Sequence, residues 1–584
     1  SVQVSLRTGS SSLEQARTTS ALSIPQWLCH RVASMASAPS AAALAVDLAI
    51  VGGGSSALAV LDQLRQQLNE KSSPWRLAVL ERGSAAQLGR GGPWSEEASC
   101  ELHTLGRNNH RRLRKGAQLA KQFEKVAQRL RRLGCEVHVL SGHNVTSVTQ
   151  LPCSSWHVAS TQLDVRAKNV IMATGHIAPT WDGCCRLLPS FWPISRLEAI
   201  PSNASVLVRG CGQSGIDATI ALAATRGEFV GNEADGLRFE LASACEGFRI
   251  TMISRRALLP RAVGLSGELQ QEVPSSDFNV YPDSWATLDS LYRDVCSTLG
   301  DAPAKLWPAW AGCSFDDDML AVESDPDPVA TWRRSIAAAR QSLAHKRPMR
   351  WLQSVWDPTA KFFWSLPRLD AQDRLRLEKH WSTAMAFVEA INLEQAARLE
   401  ALMDAGVLRL ERCSTPLEIL GHGVRAALAT GEVVEADWGV DCVEAAYHCI
   451  PTASPLWSSL LNEGLVRTKR VDFLQTPAAQ LRTSPRYLEN HGQASFLFDG
   501  LDLDPLTLRA RSQDGSAENN IFLIGPLTHG TFPIYVGLRG ARFMAQRIVR
   551  GLMQSHDISA SEQPDGKHIT PQAGACESGP MVKT

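Results

Sequence analysis

The stretch VDLAIVGGGSSALAVLDQLRQQLNE, residues 46–70, decides the fold. Val46 to Val51 is a short apolar run of the kind buried in a parallel sheet. It runs straight into Gly52-Gly53-Gly54-Ser55-Ser56-Ala57 and then a helical pattern. This is G-x-G-x-x-A at a strand-to-helix turn. Gly52 permits the tight turn, Gly54 lets backbone approach a pyrophosphate, and Ala57 allows close helix–strand packing. The helix then presents free N–H groups and its positive dipole end to the phosphates. A second strand, Arg76 to Leu80, ends at Glu81. An acid there accepts hydrogen bonds from a ribose 2′-hydroxyl and repels a 2′-phosphate.

Working outward, the same grammar recurs at SVLVRGCGQSGIDATIALAAT, residues 205–225. Gly210, Gly212, Ser214 and Gly215 spell a full G-x-G-x-x-G between strand and helix. The next strand, Phe248 to Ile253, ends in Ser254-Arg255-Arg256. Two arginines replace the acid. Guanidinium groups bind a 2′-phosphate through charge-assisted, often bidentate hydrogen bonds, so NADPH is the expected ligand of this second site. Residues 226–247 read as a loop inserted between helix and strand.

Between the two motifs, a Gly-rich loop (RGSAAQLGRGGPWS) precedes a polar cluster of His103, Arg107, Asn108, Asn109, His110, Arg111 and Arg112. Arg107 and Asn108 are candidates for dinucleotide contact; the alternative is a solvated face on a helix from about Arg112 to Leu133. EVHVLSG, VTSVTQL, SSWHVAST and QLDVRA alternate as strands of an antiparallel meander. Asn169 to Met172 then leads into Ala173-Thr174-Gly175-His176.

The composition bounds the class. The length implies several domains. Formal net charge is zero, so nothing favours nucleic acid or an anionic membrane. No apolar run is long enough to span a bilayer. No Cys-x-x-Cys occurs, which argues against a zinc ribbon and a dithiol relay and predicts no metal. The scattered thiols suit a reducing, intracellular compartment, cytoplasmic or organellar. Residues 1–45 carry Arg7, Arg17 and Arg31 against only Glu14. That composition fits a transit peptide, a disordered extension or translated leader before Met35. Residues 555–584 read as a disordered tail.

G-x-G-x-x-A, then A-T-G, then G-x-G-x-x-G in one chain resembles the two-dinucleotide-binding flavoproteins, which include flavin-containing and N-hydroxylating monooxygenases. The resemblance covers about residues 46–265. Phe191-Trp192-Pro193 matches the end of the linker signature of flavin-containing monooxygenases, but its Gly and His are missing. The chain is similar over more of its length to the FAD-NAD(P)-binding family, to which a urate hydroxylase is also assigned. The segments carrying that likeness are Gly89–Trp94, Leu402–Leu408, Tyr447–Thr452 and Ile521–Gly530. The resemblance implies that FAD fills the first site, with Thr174 and Gly175 close to it. It implies that the last strand and helix return to the flavin, with Gly525, Pro526 and His529 near the isoalloxazine.

The expected fold is α/β, with two Rossmann-like dinucleotide-binding domains and a helical insertion. The first FAD part spans 46–200, the NADPH segment 201–265 and a Trp-rich insertion 266–400. Returning strands span 401–475 and the closing FAD part 476–554. In the insertion, tryptophans such as Trp332 and Trp381 either line an aromatic substrate pocket or pack a helical core. The resemblance implies an NADPH-dependent monooxygenase that hydroxylates a small molecule with molecular oxygen through a C4a-hydroperoxyflavin. The other readings are a reductase or oxidase without oxygen insertion, and a non-catalytic nucleotide-binding redox sensor. No catalytic side chain is identifiable.

Overall fold

The computed structural model describes residues 43–69, 73–90, 106–175, 181, 183–232, 236–264, 287–299, 312, 314–346, 365–388, 390–443, 454–517, 520–533 and 538–561. Outside these lie His103, His176, Tyr447–Thr452, most of the leader and tail, and six of the insertion's tryptophans (Trp285, Trp307, Trp310, Trp351, Trp356 and Trp364).

The first sheet begins with β1 (Leu44–Val51), whose Leu48, Ala49 and Ile50 are fully buried. Burial on both faces is why this strand reads as a continuous apolar run rather than an alternating one. α1 (Ser55–Gln67) follows the glycine turn, and β2 (Arg76–Glu81) pairs parallel to β1, Val51 opposite Leu80. α2 (Gly106–Arg132) leads to β3 (Glu136–Ser141). β3 corrects one expectation: it is not part of the meander but pairs parallel to β2. The antiparallel part is β4 (Val145–Gln150), β5 (Trp156–Ser160) and the first half of β6 (Val165–Met172). β6 is one strand where the sequence suggests two. Its whole length pairs parallel to β1, from Leu44 opposite Val165 to Val51 opposite Met172.

The second sheet starts with β7 (Leu187–Leu188) and β8 (Ser205–Arg209), then α3 (Gln213–Ala224). Residues 226–247 are not a plain loop: β9 (Gly227–Asn232) and β10 (Gly236–Leu241) form an antiparallel hairpin. β11 (Arg249–Ser254) returns parallel to β8. After β12 (Arg261–Val263) come the insertion helices α4 (Leu288–Leu299), α5 (Phe315–Glu323), α6 (Pro328–Ala344), α7 (Ala371–Lys379) and α8 (Trp381–Val388). The long helical pattern after His380 is broken by β13 (Ala390–Asn392), which pairs with β12; α9 (Leu393–Asp404) follows, its N-terminus capped by the Asn392 side chain. β14 (Leu408–Arg412), a small antiparallel sheet of β15 (Glu418–Ile419), β16 (Val424–Ala427) and β17 (Val433–Ala436), and β18 (Trp438–Asp441) follow. The completed parallel order is β14-β11-β8-β18-β7.

The chain then returns to the first fold. α10 (Pro455–Asn462) precedes an antiparallel sheet of β19 (Thr468–Asp472), β20 (Tyr487–Asn490) and β21 (Gln493–Leu501). β22 (Ile521–Leu523) pairs with the far half of β6, Leu523 opposite Met172. α11 (Leu538–Ser561) packs on α1 and runs past residue 555, where the tail is expected to begin. One apolar core joins β1, β2, β6, α1, β22 and α11; a second surrounds β8, β11, α3 and α9. Two α/β sheets with a helical insertion thus stand where the two glycine motifs predict them.

Candidate functional site

At the first turn, Gly52 has φ of +102° and its N–H donates to Leu80 O at 2.8 Å. A Cβ there would lie 2.3 Å from Ala173 O, so no other residue fits. Gly54 is the N-cap of α1 and Ala57 is fully buried against the sheet. The first-turn N–H groups of α1 have no intrahelical acceptors, which leaves a donor-rich end beside the turn. The Glu81 carboxylate accepts from Gly53 N–H and Gly83 N–H, each at 2.7 Å. A carboxylate offers about four acceptor positions, so both bonds leave room for a ribose hydroxyl.

The strand end after β6 lies against this turn. Thr174 Oγ1 is buried and has no hydrogen-bond partner. Gly175 has φ of +71°. The closing segment reaches the same place: Gly525 has φ of +85°, and a Cβ on it would stand 3.2 Å from Ser56 Oγ at the start of α1. Pro526 and Thr528 are buried behind it, with Thr528 Oγ1 donating to Gly525 O at 2.8 Å. An unpartnered buried hydroxyl, a donor-rich helix end and a cradle of glycines suit a dinucleotide phosphate and ribose. Arg107 and Asn108 fall in the first turn of α2, but their side chains are outside the description.

The second turn repeats the geometry with different side chains. Gly210 has φ of +114° and donates to Ile253 O at 2.8 Å; a Cβ on Gly215 would lie 1.9 Å from Gly210 O. Gly212 is the N-cap of α3 and faces open space, and Ser214 sits in that helix's first turn. Arg255 and Arg256 leave the end of β11. Arg256 Nε pairs with Glu323 Oε2 at 2.7 Å, and Glu323 is held by Thr383 Oγ1 at 2.7 Å and His380 Nδ1 at 2.9 Å. Burial, then the neighbouring Arg256, lowers the Arg255 pKa. Cys211, inside the motif, has its thiol pushed up to about 12 by burial, so it is no ready nucleophile.

A cavity of about 540 Å³ lies between the second turn, the insertion helices and the closing segment. Gly212, Ser214, Arg255 and Arg256 line it from the second fold, Trp381 from α8, and His529 and Gly530 from the closing segment. The His529 ring meets Trp381 edge-to-face, 6.3 Å between centroids. Trp332 instead packs in the second core, its Nε1 donating to Pro260 O at 3.1 Å. Thus the two described tryptophans of the insertion divide between lining and packing. Sequence reading missed Arg374, Glu378 and Phe498, which line the cavity from α7 and β21. No local motif marks them; only the tertiary fold brings them together. Among the described residues no cluster suits a metal ion, and no helix is long and apolar enough to cross a membrane.

Residues 49–110 match the model of a family described as FAD-NAD(P)-binding. The uncharacterised protein YdhS of Escherichia coli (strain K12) is 24% identical over 263 residues, 41% of this chain and 47% of that protein, so the match spans about half the relative's length. Among solved structures, L-lysine 6-monooxygenase from Pseudomonas syringae is similar at 13% identity and a TM-score of 0.39, covering 87% of this chain and 99% of that one. The ornithine hydroxylase PvdA from Pseudomonas aeruginosa gives 12%, 0.37, 88% and 100%, and T. acidophilum thioredoxin reductase 13%, 0.37, 88% and 98%. At these scores the likeness carries neither an activity nor a substrate. Residues 49–110 thus match an FAD-NAD(P)-binding family, and a second α/β sheet with its own glycine turn follows in the same chain.

Proposed function

We propose that the chain is an NADPH-dependent flavin monooxygenase that hydroxylates a small molecule. The observation that carries this reading is the single cavity shared by the second glycine turn, the arginine pair and the closing segment around His529. A nicotinamide held by one fold and a flavin held by the other need such a common chamber for hydride transfer.

The residues divide the work. Gly52, Gly54, Ala57, Glu81, Thr174, Gly175, Gly525 and Pro526 would hold FAD, with Arg107 and Asn108 as further phosphate contacts. Gly210, Gly212, Ser214 and Gly215 would hold the NADPH pyrophosphate, and Arg255 and Arg256 its 2′-phosphate. Glu323 fixes Arg256 in place, so its guanidinium is pre-oriented for a second anion. His529 and Trp381 border the chamber and restrict water. Bound FAD supplies hydride acceptance and reaction with oxygen. Raised thiol pKa values at Cys211 and Cys442 weigh against a relay between those two cavity thiols.

The test is purified protein loaded with FAD, reduced by NADPH without oxygen, then mixed with oxygen in a stopped-flow spectrophotometer. A transient near-ultraviolet absorption before oxidised flavin returns supports oxygen insertion. Direct return of oxidised flavin, with no transient, replaces the reading by a reductase or oxidase. No bleaching by NADPH leaves a non-catalytic nucleotide-binding sensor.

A further inference from the structure

The cavity wall carries a buried cation that makes no direct ion pair among the described residues; the Glu378 carboxylate acts on it only through space. Arg374 on α7 is only 7% exposed and lines the cavity. Among the described residues no carboxylate forms an ion pair with it. Its Nη2 donates to Gly530 O at 2.6 Å, and its guanidinium stands 5.3 Å from the Phe498 ring centroid. Burial lowers its pKa to about 10, so it stays charged at neutral pH. A carbonyl and a ring face offset only part of the desolvation of a buried charge.

Glu378 stands one helical turn further along α7 and lines the same cavity. Its Oε1 accepts from Arg486 Nη1 at 3.1 Å; its Oε2 is buried and has no hydrogen-bond partner. Residues at i and i+4 share a helix face with Cβ atoms roughly 5–6 Å apart. Yet Arg374 and Glu378 do not pair with each other among the described contacts. One helix face therefore offers an anion receptor and a donor receptor side by side. The adjoining wall is apolar: Leu377, Trp381, Met385 and Phe498.

We infer that this face of α7 is the substrate-recognition site: Arg374 takes the anionic group, and Glu378 an N–H or O–H donor, of a small apolar acid, aromatic in the simplest fit. The inference rests on the oxidoreductase reading of the cavity and names its substrate class. A nucleotide phosphate is the other source of the same anionic chemistry, and the test separates the two.

The experiment is calorimetric titration of the FAD-loaded protein with para-aminobenzoate, benzoate and para-aminobenzamide, each with and without saturating NADP⁺. Para-aminobenzoate should bind at least about tenfold tighter than the amide, the size of one charge-assisted hydrogen bond, with benzoate between them. R374M should erase the preference for the acid, R374K should keep part of it, and NADP⁺ affinity should change by less than about twofold in both, the result expected when the acid and the 2′-phosphate use different arginines of the cavity. Equal binding of acid and amide, or no binding of either, overturns the inference, and needs no variant to be folded. Benzoate binding as tightly as para-aminobenzoate removes the role of Glu378. Displacement of para-aminobenzoate by NADP⁺, with NADP⁺ itself weakened in R374M, assigns Arg374 to the nucleotide and overturns the substrate role. Addition of NADPH to the same samples keeps the two readings apart. Bleaching without acid preference sinks only the recognition site, and acid preference without bleaching sinks only the oxidoreductase reading.

Discussion

The two glycine turns share a backbone and differ in what faces it. In the first, the strand ends in Glu81, whose carboxylate folds back onto Gly53 N–H and Gly83 N–H. In the second, the strand ends in Ser254, Arg255 and Arg256; Ser254 Oγ accepts from Ala257 N–H at 3.0 Å, and the arginines border a cavity. Where the first motif has Gly53, the second has Cys211, a buried thiol hydrogen-bonded to Ser254. The lesson is that steric need fixes the common glycines, while the sign of charge at the strand end differs and, in the proposed function, selects the ligand.

The largest effects should come from the shared steric part. Gly52→Ala and Gly215→Ala each drive a methyl into a backbone carbonyl, at 2.3 and 1.9 Å. Each should destabilise the chain by about 3 kcal/mol, seen in urea unfolding followed by circular dichroism. An equal and negligible effect at both would break the comparison at its root. Next comes the part that differs. Arg255→Ala with Arg256→Ala should weaken NADPH by about a hundredfold and NADH by less than about threefold, from charge-assisted bonds lost to the 2′-phosphate. Equal losses for both nucleotides in fluorescence titration would refute the assignment of these arginines. Glu81→Ala should then lower FAD affinity by about tenfold, the order of one lost hydrogen bond to a charged group, while leaving NADPH affinity unchanged. Cofactor retention after gel filtration reads this out.

The smallest effect concerns Cys211. Its folded pKa is raised from the ordinary thiol value of 9.0 to about 12. The unfolded chain loses this proton at lower pH than the folded chain, so the contribution to stability is intact below about 9 and declines as pH rises toward about 12. Cys211→Ala should make the alkaline loss of stability shallower, with no change at neutral pH beyond that of the lost sulfur. An unchanged slope would mean that this thiol is not held neutral by the fold.

What was legible in the sequence was local. Strand, glycine turn, helix and terminal charge lie within one βαβ unit, so periodicity and motif spacing report them directly. Partner choice is not local. EVHVLSG reads like a meander strand because its own alternation is the same whether it pairs with β2 or with β4; β2 wins in the fold. Likewise the helical pattern around 381–404 hides β13, because three residues paired with β12 leave no periodic mark. The site shows the same limit. Gly525 and His529 came into view only through the family resemblance of the terminal strand–turn–helix, and Arg374 and Glu378 sit in a charged helix, AQDRLRLEK, that carries no motif. Only packing against Gly530 and Phe498 turns one face of it inward.

In the proposed function the two turns serve one reaction, with the second reading the 2′-phosphate. Anaerobic flavin bleaching, measured against NADPH and NADH concentration in the same FAD-loaded sample, tests it most directly. Bleaching by NADPH is expected at a half-saturating concentration at least about tenfold below that for NADH, the worth of one charge-assisted contact. Bleaching at equal concentrations of the two nucleotides, or by neither, would contradict it.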